Sequence, residues 1–455
     1  GTGAWRISFF HAKDEVAVVD VDGRSGRVIS AWTGPQVGWP IIRGEHSAFK
    51  DHLEIAMLAL CLLFMLPFLD PRRPWRLLHL DLLAFVAFMV SLLLFDRGHV
   101  YASVPLQYPP LLYLLGRLVW TGWRGARARE PAVPLAGERL LIVGVIALLV
   151  LRAVFNLELG RVGDVGYAGV FGADSIHHGW PLYTNHPTHL DTYGPVNYLL
   201  YLPFESLFPF DVGWQRDSLS AAHSASLVFD LAVVALMFAV GRRMKPGPAG
   251  RKLGVTLAYL WVACPFTFLP LAASTNDAIV PAFVLGSLLA LSAPPLRGAL
   301  IGLGAAAKFA PMALVPLFAL GPERSWRKGL VCAAAAVGVF VLAFLPYVRE
   351  SGLHKVYDST LGFQLHRASP FTLWGLHPSL EWMHLIARAL AASVIVMSAV
   401  VYTGRDVIRV AAFSAAVILA VQMAGNYWAH TYVMWFAAPA LVALAGQTAR
   451  DRQPA

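Results

Sequence analysis

Apolar runs recur along the chain near 53–70, 78–95, 103–121, 138–155, 219–240, 253–272, 278–293, 298–320, 330–346, 383–402, 409–424 and 431–446. A helix needs about 20 apolar residues to cross a bilayer core. The pattern therefore predicts an all-α polytopic membrane protein, with about ten transmembrane helices plus re-entrant or interfacial pieces. Residues 1–50 follow another rhythm. The stretch VAVVDVDGRSGRVISAWTG alternates apolar and polar positions around Asp-Gly and Ser-Gly turn signals, which predicts a small β-hairpin module. Such a module is marginal alone. The run 298–320 carries Pro311 and Pro316 and has basic residues at both flanks, Arg297 on the left and Arg324 to Lys328 on the right. A hairpin of two half-helices fits both flanks better than one crossing. The resulting division is a β-containing module over 1–50, accessory transmembrane helices over 51–135, the main transmembrane domain over 136–447 and a tail over 448–455.

Composition supports the membrane reading. The chain is 57% hydrophobic and 14% charged, with a mean hydropathy of +0.59, whereas soluble domains carry about 25% charged residues. The net charge of +9 speaks for topology, not for nucleic acid. Basic clusters around Arg72, Arg73 and Arg76, around Arg124, Arg127 and Arg129, and in GRRMKPGPAGRK sit in short loops. Placing them inside the cell puts the 1–50 module, residues 96–101, the segment after Asn156, the turn at 274–277 and the loop 347–378 outside. The tail TARDRQPA falls inside. A short exported module without a signal implies an upstream transmembrane helix ahead of the Gly-Thr-Gly start, and this is an expectation of the reading. Cys61, Cys264 and Cys332 lie in apolar runs with no metal or disulfide spacing, so they read as packing residues.

The richest segment is 156–210, NLELGRVGDVGYAGVFGADSIHHGWPLYTNHPTHLDTYGPVNYLLYLPFESLFPF, with three aspartates and four histidines. It reads as a polar loop of about 40 residues, longer than a mere connection needs, at a membrane face where ionisable groups suggest function. Residues 195–210 read as an interfacial or re-entrant helix with its tyrosines and Trp214 at headgroup level. On this topology three polar elements share the outer side: the Asp164 segment, the Asn276-Asp277 turn and Gln364-Leu365-His366-Arg367-Ala368-Ser369-Pro370. Lys308 lies within an apolar run, where a lysine costs about 2.5–3.5 kcal/mol on insertion scales. It calls for a counter-charge such as a lipid phosphate.

Several motifs follow one another in order: Asp164, Gly179-Trp180-Pro181-Leu182-Tyr183, Tyr193-Gly194-Pro195, the Ser-x-x-Asp turn at 274–277 and a G-x-x-x-A-x-K-like helix at 302–308. This series resembles the GT-C superfamily of integral-membrane glycosyltransferases. In particular it is similar to actinobacterial polyprenol-phosphate-mannose-dependent mannosyltransferases, over roughly residues 138–446. The Ala/Arg/Gly-rich composition is compatible with an actinobacterial source. The chain departs from the family pattern in its accessory helices and β module, and in Tyr-Gly-Pro where Tyr-Pro-Pro is usual.

The resemblance implies a sugar, mannose or arabinose, carried on a polyprenyl phosphate and transferred to a cell-envelope lipid or glycan. The site would face the extracytoplasmic side of a bacterial plasma membrane. An acceptor hydroxyl needs a general base: Asp164 is the first candidate, with Asp174 and Asp191 as alternatives. The phosphate leaving group needs cations, for which Lys308, Arg367 and His366 are candidates. Tyr167, His178, Tyr183, His189, Tyr193, Asn276, Asp277, Trp374 and His430 are the remaining candidates for substrate contact. Each has a plainer reading. The aspartates are helix or loop caps, Lys308 snorkels, and Trp374, Tyr427, Trp428 and His430 are interfacial anchors. Asp81 and Asp230 pair between helices. His177, His178, His186 and His189 with Asp174 or Asp191 are a weak divalent-metal alternative. The expectation is no metal ligand set, no required cofactor and no nucleic acid, with membrane lipids as surroundings. The rival functions are a secondary transporter or lipid flippase, favoured by broken helices, and a non-catalytic scaffold of envelope synthesis.

Overall fold

The computed structural model describes residues 3–12, 14–43, 52–125, 136–186, 188–210, 218–367 and 369–446. Arg127, Arg129, Trp214, Ala368 and the tail 448–455 lie outside the described residues. The N-terminal module is a three-stranded antiparallel sheet, ordered β1-β2-β3, where a hairpin was expected. Strands β2 (Asp14–Asp22) and β3 (Val28–Thr33) are the anticipated pair, and β1 (Ala4–His11) adds to the free edge of β2. Its register sets Arg6 opposite Asp20 and lines Trp5, Ile7 and Phe9 up with Val21, Val19 and Ala17. The Arg6 Nε donates to Asp20 Oδ1 at 2.8 Å.

The remainder is helical. We number the principal helices α1 (His52–Met65), α2 (Leu77–Asp96), α3 (Tyr108–Arg124), α4 (Glu138–Val154), α5 (Asp164–His177), α6 (Pro195–Leu207), α7 (Ser220–Met244), α8 (Gly247–Ala263), α9 (Pro265–Ala272), α10 (Ile279–Leu289), α11 (Pro294–Ala307), α12 (Val315–Leu320), α13 (Trp326–Ser351), α14 (Glu381–Val400), α15 (Val407–Met423) and α16 (Val433–Gly446). Among the described residues five helices are long and apolar enough to cross a membrane, or six if the bent pair α8–α9 counts as one span. A total of about ten would need most of the shorter apolar helices to cross as well. The protein is therefore a mostly helical membrane protein with a small N-terminal sheet. Cys61, Cys264 and Cys332 are buried and free.

Two buried carboxylates in the bundle, Asp81 and Asp230, are paired with arginines. Arg117 grips Asp81 at 2.9 Å, and Tyr113 donates to the same carboxylate at 2.8 Å. Arg152, 1% exposed, donates to Asp230 through Nε at 3.0 Å and Nη2 at 2.8 Å. Arg152 also organises the 57° bend between α8 and α9. Pro265 has no N–H to continue the helix, and Arg152 donates to the carbonyls of Val262 at 3.2 Å and Thr267 at 2.9 Å. The inter-helix pairing expected for Asp81 and Asp230 is thus present.

Residues 294–320 double back. At the base, Arg297 Nε donates to the Phe318 carbonyl at 2.9 Å and Nη1 lies 3.5 Å from Glu323, so α11 starts beside the place where α12 ends. The break falls at Lys308, not at the prolines. Pro311 and Pro316 open the short turn Ala310–Leu314 and α12, positions where a missing N–H is tolerated.

The segment after Asn156 is not the long loop expected. It contains α5, a helix of 14 residues, and glycines recur at a period of three, Gly160 and Gly163 just before it and Gly166, Gly169 and Gly172 within it. Glycine lowers helix propensity, which is why the sequence reads as loop, but here each glycine admits a neighbour. A Cβ on Gly163 would sit 3.1 Å from the Ala273 carbonyl, and one on Gly166 would overlap the Ser274 carbonyl. Further along, Gly169 receives the Tyr201 ring, 2.6 Å from an added Cβ, and Gly172 receives Tyr198. Tyr198 and Tyr201, expected at headgroup level, are fully buried and pack on glycines of α5.

Removing a partner from a buried ion pair costs about 3–5 kcal/mol. Arg152→Met leaves Asp230 without its cationic partner, with the Trp261 indole N–H still donating to it at 2.8 Å, and takes a donor from two bend carbonyls, so its thermal unfolding midpoint in detergent should fall well below that of the native protein. An unchanged midpoint would show that the bend does not depend on this residue.

Candidate functional site

The hairpin tip meets three other pieces of chain. Lys308 Nζ donates to Asp277 Oδ1 at 2.6 Å, and both side chains are nearly inaccessible. Asp277 does not cap α10. It also accepts from Trp435 Nε1 at 2.7 Å and from Thr275 Oγ1 at 2.7 Å, so its carboxylate is well satisfied for a buried charge. A carboxylate of this chain thus supplies a counter-charge to Lys308. The ammonium lies 5.4 Å from the Tyr193 ring centroid and 4.8 Å from that of Trp435. Neighbouring Asn276 Nδ2 donates to Asn197 Oδ1 at 2.5 Å.

The turn Tyr193-Gly194-Pro195 docks on the same tip. Gly194 N–H donates to the Ala307 carbonyl at 3.2 Å, and a Cβ on Gly194 would overlap the Ala306 carbonyl. Glycine at 194 therefore has a physical reason: proline would lose this donor. The start of α5 is tied to the turn at 274–277 by backbone bonds, Arg161 N–H to Ala272 O at 2.9 Å and Gly163 N–H to Ala273 O at 2.7 Å. From inside the bundle, Asn156 Nδ2 donates to Leu271 O at 2.6 Å and to Ser274 Oγ at 3.0 Å.

Asp164 opens α5 as an exposed carboxylate, accepting from the N–H of Val165 at 3.0 Å. Its charge reaches Tyr193, Tyr427, Tyr432 and Lys308. Arg367 stacks its guanidinium 3.7 Å over Tyr427 and 5.3 Å from Phe363. Burial pushes the Tyr193 phenol well above its ordinary value, and the Asp164 and Asp277 carboxylates add to the shift. Burial raises Tyr427 to about 12, against the opposing pull of Arg367. Both phenols are therefore neutral and able to donate near neutral pH. The fold brings Asp164, Tyr193, Asn276, Asp277, Lys308 and Arg367 to one end of the bundle.

Other candidates are engaged elsewhere. Asp191 organises its own loop, accepting from the N–H groups of Thr184 and His186 at 2.9 and 3.1 Å and from Ser359 Oγ at 3.1 Å. Asp174 lies ten residues beyond Asp164 on α5, about 15 Å along the axis, and contacts His178 at 3.1 Å. Burial raises its pKa first, and the nearby Glu205 charge adds to that. His177 Nδ1 pairs with Glu205 at 2.8 Å, which raises the imidazole pKa. His178 stacks on Trp180 at 4.6 Å, His189 leans on Phe363 at 4.5 Å, and His186 meets the Thr188 hydroxyl at 2.9 Å. The four histidines do not converge, and no group of three or more potential metal ligands occurs among the described residues. Tyr167 packs on Phe171 and Phe210. Tyr183 donates to the Tyr193 carbonyl at 2.9 Å, supporting the site turn from beneath. Trp374 stacks on His384 at 4.5 Å and His430 meets Ser91 Oγ at 3.0 Å, and both side chains are buried. His366 contacts the Gly362 carbonyl at 2.9 Å and points its ring into its own helical turn. Asn197, Thr275 and Trp435 were missed by the sequence reading. Asn197 had one signal, a lone amide in the apolar run VNYLLYL; Trp435 had none.

An apolar bundle that gathers a carboxylate, a guanidinium and a buried ion pair at one end fits an integral-membrane protein with a polar candidate site there. The family model of glycosyltransferase family 87 matches residues 192–446, more than half of the chain. The chain belongs to that family and is a membrane glycosyltransferase. No curated protein matches it.

Two outcomes follow from this geometry. Gly194→Ala forces a Cβ against the Ala306 carbonyl, a strain of about 1–3 kcal/mol. It should lower both sugar transfer and the thermal midpoint, whereas Gly338→Ala, whose added Cβ meets nothing within 4 Å, should lower neither. The His177–Glu205 pair carries a pH dependence. Because the folded imidazole pKa is raised, its stabilisation is complete below the unfolded value near 6.5 and fades as pH rises through the folded value. The difference in thermal midpoint between the native protein and His177→Gln should therefore be largest near pH 6 and vanish at alkaline pH.

Proposed function

We propose that this glycosyltransferase moves a sugar, mannose or arabinose, from a polyprenyl-phosphate donor to a cell-envelope lipid or glycan. The transfer takes place at the extracytoplasmic face of a bacterial plasma membrane. The observation that carries the reading is the meeting of the exposed Asp164 carboxylate with Arg367 and the Lys308–Asp277 pair around Tyr193, Tyr427 and Tyr432. Asp164 accepts the proton of the acceptor hydroxyl as its oxygen attacks C1 of the donor sugar. The C1–O bond to the phosphate breaks, and Arg367 compensates the charge left on the polyprenyl phosphate through its planar donors. Lys308 acts chiefly by holding the turn at 274–277 on the hairpin tip. The orientation is supported by charge: at the opposite end of the bundle Arg251 pairs with Glu138, and Arg405 and Lys328 pair with Glu323, the end that the positive-inside rule assigns to the cytoplasm.

The test is transfer from radiolabelled polyprenyl-phosphate mannose and polyprenyl-phosphate arabinose to envelope lipid extract. Loss of a general base costs about 10²–10⁴-fold, so Asp164→Asn should reduce the rate by that order while leaving donor binding intact. Arg367→Ala should raise KM for the donor. Transfer that survives Asp164→Asn would move the base elsewhere, and donor binding without transfer by the native chain would identify a scaffold. A rate that falls on chelation with EDTA would favour the divalent-metal alternative.

A further inference from the structure

The segment bearing Arg367 rests on the N-terminal module through a row of aromatic rings. Trp39 follows the sheet, and its ring meets that of Phe371 edge-on, 5.1 Å between centroids at 73°. Phe371 in turn meets Tyr427 at 5.1 Å and 85°. Tyr427 is the ring over which Arg367 sits at 3.7 Å. Edge-to-face contacts of this kind hold ring orientation as well as burying area.

The central ring is held from several sides. Phe371 is 6% exposed, and Phe95 of α2 packs on it at 5.6 Å. Its N–H donates to Ser369 Oγ at 3.1 Å. Gln107 Nε2 donates to its carbonyl at 3.1 Å, and the Leu373 N–H donates to the Tyr108 hydroxyl at 3.2 Å. Phe371 shares a small core with Ile42, Val100, Val104 and Leu376, distinct from the main one. On the module side Gln36 Nε2 donates to the Gly98 carbonyl at 3.0 Å, fixing residues 35–43 against the end of α2. The partners that come from outside, Trp39, Ile42, Phe95, Gln107 and Tyr108, all precede the stretch matched by the family model.

We propose that Trp39 is a positioning residue for Arg367, acting through Phe371 and Tyr427, so that the N-terminal module sets the geometry of the donor-phosphate cation. The proposal rests on the reading of Arg367 as the donor-phosphate contact. A guanidinium on a long flexible stem is useful to a phosphate only where its plane is held, and the Tyr427 face supplies that plane. Without the Trp39 ring, Phe371 loses one wall and the Tyr427 ring loses its fixed edge. The Arg367 guanidinium then samples more orientations.

The experiment uses the full chain in detergent: native, Trp39→Ala, Trp39→Phe, Arg367→Ala and the double variant Trp39→Ala/Arg367→Ala. Hydrogen–deuterium exchange reads residues 359–376, and initial rates give KM and kcat with polyprenyl-phosphate mannose. Trp39→Ala should speed exchange across 359–376 and raise KM about three- to tenfold, with kcat little changed. Trp39→Phe should restore both, and the double variant should match Arg367→Ala alone, because the two act through one interaction. Unchanged exchange in Trp39→Ala overturns the proposal, and so does a double variant whose KM defect is the product of the single ones. If Trp39→Ala does not fold, Trp39→Leu keeps apolar volume without a ring and is judged by the same exchange readout. If the native chain transfers nothing, the reading of function has failed, and the exchange comparison still decides the coupling.

Discussion

The buried contact between Lys308 and Asp277 is the interaction around which the polar end is assembled. Each charge alone would carry a desolvation penalty of several kcal/mol. Together, at 2.6 Å and with Trp435 and Thr275 donating to the carboxylate, they hold a place that neither could hold unpaired. The contact joins two interruptions of helix, the end of α11 and the turn after α9. Backbone groups at both interruptions are left free by the breaks and are taken by further chain. The Ala307 carbonyl receives Gly194, and the Ala272 and Ala273 carbonyls receive Arg161 and Gly163. One ion pair thus sets the relative position of three segments that carry candidate chemistry.

The hairpin is held at its base as firmly as at its tip. Glu323 collects Arg405 at 2.7 Å, Lys328 at 3.1 Å and Arg297 at 3.5 Å, and these cations together hold its carboxylate below the ordinary range against the opposing effect of burial. Arg297 meanwhile closes the hairpin on the Phe318 carbonyl. The 14 residues of α11 span about 21 Å between base and tip. A rod pinned at both ends has little freedom to slide, which suits a site whose parts must keep their spacing through a reaction.

Much of this was legible in the residues, for reasons that can be named. Lys308, Asp277, Asp164 and Arg367 stood out because a charge at a membrane surface or within an apolar run is costly and needs a cause. The hairpin over 298–320 was legible because both flanks are basic. What escaped was packing between segments far apart in sequence. Helix α5 was hidden because Gly166, Gly169 and Gly172 within it, and Gly160 and Gly163 just before it, argue against a helix locally, and the Tyr198 and Tyr201 rings and the 272–274 carbonyls explain them. Strand β1 was hidden because AWRISFFH has no strict alternation after the irregularity between Phe9 and Phe10. Trp435 looked like one more apolar residue until its indole N–H was found on Asp277. Asp174 and Asp191 stand in the sequence as alternatives to Asp164 because composition cannot say which carboxylates are already engaged in their own loops.

The stretch matched by the family model, 192–446, contains the turn at 274–277, the hairpin and Arg367, but it begins after Asp164, Asp174 and Asp191. The carboxylate proposed as base therefore enters the site from outside the matched region. The contact that brings it there is a main-chain one, the Gly163 N–H on the Ala273 carbonyl at 2.7 Å, and the close approach needs glycine at 163 and 166. A side chain at Gly166 would push α5 away from the Ser274 carbonyl and carry Asp164 with it. The same logic applies on the other flank, where Trp39, also outside the matched stretch, reaches Arg367 only through Phe371 and Tyr427. Both proposed reacting charges are thus aligned by parts of the chain that precede the matched stretch, through backbone contact in one case and ring contact in the other.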